Sequence, residues 1–545
     1  MVDRRRFLAS IAAATVAVAC TSDDESAGPE GESVGGSTTA PAQRVEPATP
    51  AASPGLAAGS FALGVASGDP LHDRVLLWTR LASAPTVVGA GSPTTDVEVA
   101  YDVATDEEFA ELVASGVATA SASLAHSLHV DVVGLRPATW YFYRFRAGDQ
   151  TSPVGRTRTL PDPSGDIDRL RFVFASCQDY QWGHYAAWKH AAAEQDLDAV
   201  VFLGDYIYET NLGDLSPAKT GERVWANGAA LTLDDYRQRY AQTRSDLSLQ
   251  QAHHAVPWLT VFDDHEVADN YAGDVGHYDG GEPKSRDRRL AAYQAWYEHT
   301  PIRIDPEPTS FDDLSVHRSA QFGALATLFA IETRQHADPP PCRADSAAGS
   351  TIASLGDEGP DCAESVDPQR TNLGAEQEEW LTTGLADSST TWNIICNPLM
   401  LAGLNVGTAD APEHTRDTWD GYPLVRQRLL DGIVSADVPN PVIVTGDWHA
   451  SFVLDVKAGP DGDTIAPEFL ATSMTTVNFA EDYSAANPHV RYFDGTHHGY
   501  GLVTVTADEL VCEFKYIADV WDPDSPIEQV DRWRVAAGSP IAEPA

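Results

Sequence analysis

Basic residues are scarce in this chain. Thirty-six Lys and Arg face 80 Asp and Glu, only five of the 36 are lysine, and the formal net charge is −44. A surface of that sign repels polyanions, which excludes a nucleic-acid-binding role. It also repels phosphate groups, so a site for them needs positive charge concentrated locally, and bound metal can supply it. Long apolar runs are missing too. The stretch Ile11 to Ala19 is too short to span a bilayer as a helix, and no transmembrane span or internal repeat follows. Cysteine is sparse, with six in the chain. Cys342 and Cys362 flank a segment rich in Pro, Gly, Asp and Ser, which they would close as a disulfide in an oxidising compartment. Cys396 and Cys512 sit in apolar strand-like runs, where pairing and buried free thiols are both open.

What is present begins with an export signal. Asp3-Arg4-Arg5-Arg6-Phe7-Leu8 has the twin-arginine pattern, and the apolar run after it ends in Ala17-Val18-Ala19-Cys20. That ending resembles a bacterial lipoprotein cleavage box. Ordinary cleavage nearby is the alternative, and lipidation of Cys20 is favoured because the next tract reads as a surface tether. Residues 21–59 are rich in Ser, Gly, Pro, Ala and acids, without apolar periodicity, and are expected to be a disordered linker. The expected protein is exported through the twin-arginine machinery, as a cell-envelope lipoprotein or an extracellular or periplasmic enzyme. It meets membrane only through its lipidated N-terminus and is a monomer.

At 545 residues with 43% apolar content, the chain can bury large cores in two or three domains. Residues 60–160 carry short alternating strands such as Val97 to Val103, His126 to Val132 and Trp140 to Phe145. Leu135-Arg136-Pro137-Ala138-Thr139 resembles the tyrosine-bearing corner of fibronectin-type sandwiches, so a small fibronectin/Ig-like β-sandwich is expected there. Pro161 to Asp166 marks its boundary. Residues 161–545 alternate strands with helices at Tyr185 to Glu194, Asp234 to Thr243 and Lys284 to Tyr297, which is α/β order. From about 441 onward strands dominate, as in a second sheet packed on a first.

The chemistry lies at strand ends. Val201-Phe202-Leu203 runs into Gly204-Asp205, and Tyr208 follows three residues after the Asp. Leu259 to Phe262 runs into Asp263-Asp264-His265-Glu266, Pro441 to Thr445 into Gly446-Asp447-Trp448-His449, and Leu170 to Ala175 into Ser176-Cys177. Open α/β sheets bind ligands at such C-terminal ends. One Gly-Asp after a strand is usually a turn, and one buried Cys a small hydrophobe. Four such endings read instead as a metal site with acid–base groups beside it.

Phe172 to Gln178, Gly204-Asp205-Tyr206-Ile207-Tyr208-Glu209, Asp263-Asp264-His265-Glu266 and Gly446-Asp447-Trp448-His449 resemble the PhoD-type alkaline phosphatases, within the calcineurin-like metallophosphoesterase superfamily. Phe61 to Pro70, Leu76 to Leu81, Leu373 to Gln377, Trp419 to Tyr422 and Ala471 to Met474 extend the resemblance over about residues 60 to 520. It implies a two-sheet metallophosphoesterase sandwich flanked by helices, hydrolysing phosphomonoesters and phosphodiesters with a metal-activated hydroxide. It also implies Cys177, Asp205, Tyr208, Asp264 and Asp447 as metal ligands, with Asp205 bridging. His265 is the implied catalytic histidine, and His449 a second catalytic group or near-ligand. A thiolate suits iron or zinc. A phenol, with a free pKa of about 10, ionises at neutral pH only beside strong positive charge. The resemblance accordingly implies ferric iron with calcium. Asn397-Pro398 and Glu332-Thr333-Arg334 depart from the family's usual pattern, which leaves Asn397 and Arg334 open as site members, together with His498. The substrate is a small-molecule or lipid phosphoester. A phospholipase D-like enzyme acting on lipid head groups is the alternative, and a non-catalytic binding lipoprotein is the other class weighed.

Overall fold

The computed structural model describes residues 45–51, 56–85, 93–210, 223–275, 284–341, 358–359, 362–459 and 462–545. The twin-arginine segment, Cys20, most of the expected linker and Cys342 lie outside them. Eight short strands come first: β1 (Val65–Gly68), β2 (Arg74–Arg80), β3 (Val97–Ala104), β4 (Leu112–Ala120), β5 (Ser127–Val133), β6 (Trp140–Ala147), β7 (Gln150–Thr151) and β8 (Gly155–Arg158). In β6 every second side chain, from Tyr141 to Ala147, is buried, as the two-residue period of a strand requires. The strands β3, β4, β6, β7 and β8 make one sheet. It encloses a core of Val99, Tyr143 and Phe145 against Val65 of β1, Leu77 of β2 and Val130 of β5. The Tyr141 hydroxyl accepts from the Arg136 N–H at 2.8 Å.

The expected boundary near residue 160 does not separate the sheets. β9 (Leu170–Ala175), β10 (Ala199–Phe202) and β11 (Trp258–Thr260) run parallel, and β1 adds to β11 in parallel. β1, β2 and β5 thus extend the sheet of β9, β10 and β11. The helices of this half are α1 (Ala186–Ala192), α2 (Leu233–Arg244), α3 (Leu247–Ala255) and α4 (Lys284–His299). α2 starts at a capping box, in which the Thr232 side chain meets the Asp235 N–H and the Asp235 carboxylate returns to the Thr232 N–H.

The second half supplies β12 (Arg318–Phe322), β13 (Ala326–Ala330), β14 (Glu358–Gly359), α5 (Gly374–Asp387), β15 (Trp392–Asn397), β16 (His414–Thr415), α6 (Pro423–Ser435), β17 (Pro441–Thr445), β18 (Ser451–Lys457), β19 (Thr464–Leu470) and β20 (Val490–Asp494). Apart from the β14–β16 ribbon, these strands form a seven-stranded sheet in the order β12-β13-β15-β17-β19-β18-β20. The last strands, β21 (His498–Val505), β22 (Glu509–Ile517), β23 (Ile527–Ala536) and β24 (Ala542–Pro544), return to the first sheet. Its order becomes β24-β23-β22-β21-β9-β10-β11-β1-β2-β5.

Alternation packs the two sheets face to face. Ile394, Val442 and Val444 join the core of Phe172, Phe174, Val201 and Phe202. Their neighbours Ile395 and Ile443 point the other way and pack with Leu381 of α5 and Leu429 of α6. The parallel strands β9, β10 and β11 of one sheet and β13, β15 and β17 of the other end where the sheets meet. Gly446 permits that meeting, because a Cβ there would lie 2.5 Å from the Ser176 Oγ. Cys396 and Cys512 are buried free thiols, and Cys362 is disulfide-bonded. Among the described residues no helix is long and apolar enough to cross a membrane.

Candidate active site

The strand ends deliver their side chains to one buried place. Cys177 follows β9, Asp205 and Tyr208 follow β10, Asp263, Asp264 and His265 follow β11, and Asp447 and His449 follow β17. Cys177, Asp205, Asp447 and His449 hold positive φ, at 59°, 59°, 68° and 52°. That region costs a residue with a Cβ about 1–3 kcal/mol, and such strain collects at functional sites. One ligand-type atom from each of Cys177, Asp205 and His449 lies within 4.8 Å of the other two. The same holds for Asp205, Asp264 and His265, and for Asp263, Asp264 and Asp447. Asp205 therefore links the first pair of groups, and Asp264 the second. The Tyr208 hydroxyl donates to Asp205 Oδ2 at 3.0 Å and lies 3.2 Å from His449 Nε2.

Backbone bonds lock these ends together. The Glu266 carboxylate accepts the N–H groups of Asp205, Tyr206 and Asp263 at 3.0, 2.5 and 2.9 Å, which clamps the end of β10 to that of β11. Glu209 performs a related task. Its Oε2 meets His265 Nδ1 at 2.7 Å and its Oε1 accepts the Asp269 N–H at 2.9 Å. The His265 ring, packed 4.2 Å from that of Tyr208, is thereby held with Nε2 3.8 Å from Asp264 Oδ2 and 3.7 Å from Asp269 Oδ1.

Arg334, which follows β13, is 2% exposed and sits between three acids. Nε donates to Asp263 Oδ1 at 2.5 Å, Nη1 to Asp417 Oδ1 at 2.6 Å, and Nη2 lies 3.7 Å from Asp264 Oδ1.

Too little positive charge is present to balance these acids. Burial, then the Asp264 charge, pushes the Asp205 carboxyl well above its usual range. Burial likewise raises Asp263, lifts Asp447 to about 7, and drives the Cys177 thiol and Tyr208 phenol well up. Burial would also raise Asp264, but His265 and Arg334 bring it below the ordinary value. His265 moves oppositely. Burial alone would lower it, yet the charges of Asp264, Glu209 and Asp205 push it well above the ordinary histidine value. His449 is pushed down to about 3 by burial and then by His265, which keeps its ring neutral, the form a metal binds. A buried set of anions with this deficit suits cations.

The model of the PhoD-like phosphatase family matches residues 172–514, and that of the PhoD-like phosphatase N-terminal domain matches residues 47–161. The chain belongs to the PhoD-like phosphatase family. It is 40% identical over 487 residues to alkaline phosphatase D of Bacillus subtilis (strain 168), covering 87% of this chain and 81% of that protein. A solved structure of PhoD superposes with a TM-score of 0.84 at 37% identity, covering 90% of this chain and 93% of the other. The protein is therefore a phosphoesterase.

In this PhoD-like phosphatase the structure brings together all seven residues expected at the site: Cys177, Asp205, Tyr208, Asp264, His265, Asp447 and His449. It adds Arg334. Asn397 is turned elsewhere, with Nδ2 donating to the Leu399 carbonyl and Oδ1 accepting from Trp419 Nε1. His498 spends Nε2 on the Thr476 carbonyl at 2.6 Å. Sequence reasoning gave no role to Asp263, Glu209 or Glu266, although each stands inside a motif that it singled out.

Proposed function

We propose that this phosphatase hydrolyses both phosphomonoesters and phosphodiesters with the help of cations held among its buried acids. The observation that carries the reading is the convergence of four strand ends from two sheets on overlapping ligand-type groups that share Asp205 and Asp264. Bound cations would supply Lewis acidity toward phosphoryl oxygens and toward water. The remaining work belongs to the chain. The site's depth limits water, Glu209 orients His265 through Nδ1, and the proton on His265 is available to the departing alcohol from Nε2. Glu209, which stands outside the candidate cation groups, favours the protonated ring through its contact with Nδ1. Nitrophenol should be released from both nitrophenyl phosphate and bis(nitrophenyl) phosphate, faster at about pH 9 than at about pH 6, and a chelator should suppress both reactions. No action on any diester, or a sharp optimum below about pH 6, defeats the reading.

The donor chemistry supports ferric iron near Cys177, Tyr208 and Asp205, and calcium near Asp264 and Asp447. Burial and then Asp205 oppose ionisation of the Tyr208 phenol, so a phenolate there requires a strong positive charge. A thiolate and a phenolate together favour a trivalent centre, and zinc has no need of the phenol. Asp263, Asp264 and Asp447 offer oxygen alone, which suits calcium. The purified enzyme is expected to be coloured, Tyr208→Phe to shift or abolish the band, and a calcium chelator to lower activity without bleaching it. A colourless, fully active preparation containing only zinc would sink the metal assignment.

A further inference from the structure

Two apolar side chains stand open at the rim of the site. Val477 is 38% exposed and Phe479 37%, and the residue between them is tucked in. Asn478 Nδ2 donates to the His497 carbonyl at 3.0 Å, and Asn478 Oδ1 accepts from Ser473 Oγ at 3.3 Å. Anchoring Asn478 between them leaves Val477 and Phe479 as the exposed side chains of the segment. The segment is seated closely. A Cβ at Gly495 would lie 2.2 Å from the Phe479 carbonyl oxygen.

One face of Phe479 is already used. Its ring stacks on His449 with centroids 5.2 Å apart and planes 10° apart. His449 Nε2 in turn lies 3.2 Å from the Tyr208 hydroxyl, while the Tyr208 ring packs on His265. Tyr208 thus separates two unlike sides. On the His265 side lie Glu209, Asp264 and Asp269, which suits a departing oxygen that needs a proton. On the His449 side lies the Val477–Phe479 lip, with no charged side chain stacked on Phe479 among the described residues. Ligand sites pair a few placed polar groups with apolar and aromatic walls, and a partly exposed ring beside a reaction centre gains by being covered with another ring.

We propose that this lip is a specificity subsite for the ester group that stays on phosphorus, and that the favoured substrates are phosphodiesters whose retained alcohol carries a flat apolar ring. The proposal rests on the phosphodiesterase reading above. The net charge of −44 favours a small diester over a polyanionic chain.

The experiment compares kcat/KM of the metal-loaded enzyme on phenyl nitrophenyl phosphate and on methyl nitrophenyl phosphate. Both release the same alcohol, so their ratio reports only the retained group. The wild type should favour the phenyl ester, and Phe479→Ala should reduce the phenyl-to-methyl ratio by about two- to tenfold, the range of one aromatic contact. Phe479→Leu, which keeps apolar bulk and tests the ring alone should the alanine variant fail to fold, should move the ratio the same way. Equal rates on the two esters in the wild type, or a fall of both together in the variants with the ratio intact, would overturn the subsite. Absence of turnover on both diesters removes the phosphodiesterase reading and this proposal with it, whereas turnover with an unmoved ratio removes this proposal alone.

Discussion

Replacing His265 with alanine should lower turnover by about 10²–10⁴, the usual size of a lost general acid. The expectation rests on three observations. The side chain is only 15% exposed, so most of its surface faces the site and its neighbours. Its Nδ1 is occupied by Glu209 at 2.7 Å, which orients Nε2. Asp264, Glu209 and Asp205 push its pKa above the ordinary value against the burial that would lower it, and Glu209 does so from outside the candidate cation groups. A general acid matters most when the departing alkoxide is basic, so the loss should be large for an alkyl phosphoester and smaller for a nitrophenyl ester. That graded loss separates proton donation from a collapse of the site, which would slow both alike. Because Asp205, Asp264 and His265 form one candidate cation group, metal content of the variant must be measured too. Full activity would remove His265 from the mechanism, and an equal loss on both esters accompanied by loss of metal would make it a ligand instead.

The parts of this protein legible in the sequence are those written locally. An apolar run ending in Gly-Asp, Asp-His or Ser-Cys carries its own strand and its own donor, and although one such ending reads as a turn, the four together mark Cys177, Asp205, Asp264 and Asp447. Helices α1, α2 and α4 were legible for the same reason, while α5 and α6, on the far side of the second sheet, were not singled out. The rest depends on partners far along the chain. Glu209 acquires a task only beside His265, 56 positions away, and Arg334 only beside Asp263, 71 positions away. The short strands after residue 60 announce a two-layer unit, yet nothing local says that β1 will pair in parallel with β11 and carry β2 and β5 into the catalytic sheet. Phe479 reads as one more aromatic until the fold lays it on His449.

Arg334→Met should destabilise the folded protein by about 3–5 kcal/mol, because breaking a buried ion pair strands the charges left behind. The methionine approximates the arginine stem in volume, so little of the loss would be packing. Asp263 keeps none of its charge compensation: burial already lifts its carboxyl, and the Arg334 charge is the largest influence opposing that. Asp417 loses its 2.6 Å donor at the same time. In the variant Asp263 escapes part of the penalty by holding a proton in the folded state at pH values where the unfolded chain has released it. The folded form then binds more protons than the unfolded form, so stability must fall as pH rises. Because the wild-type carboxyl is itself raised, the gap between variant and wild type should widen as pH rises through the wild-type titration of Asp263, read as denaturant midpoints across pH on protein stripped of metal. Arg334→Lys should recover only part of the loss, since one ammonium cannot reproduce the separate Nε and Nη1 contacts. A midpoint for Arg334→Met within about 1 kcal/mol of wild type at every pH would mean that Asp263 and Asp417 find other partners and that Arg334 does not hold this side of the site together.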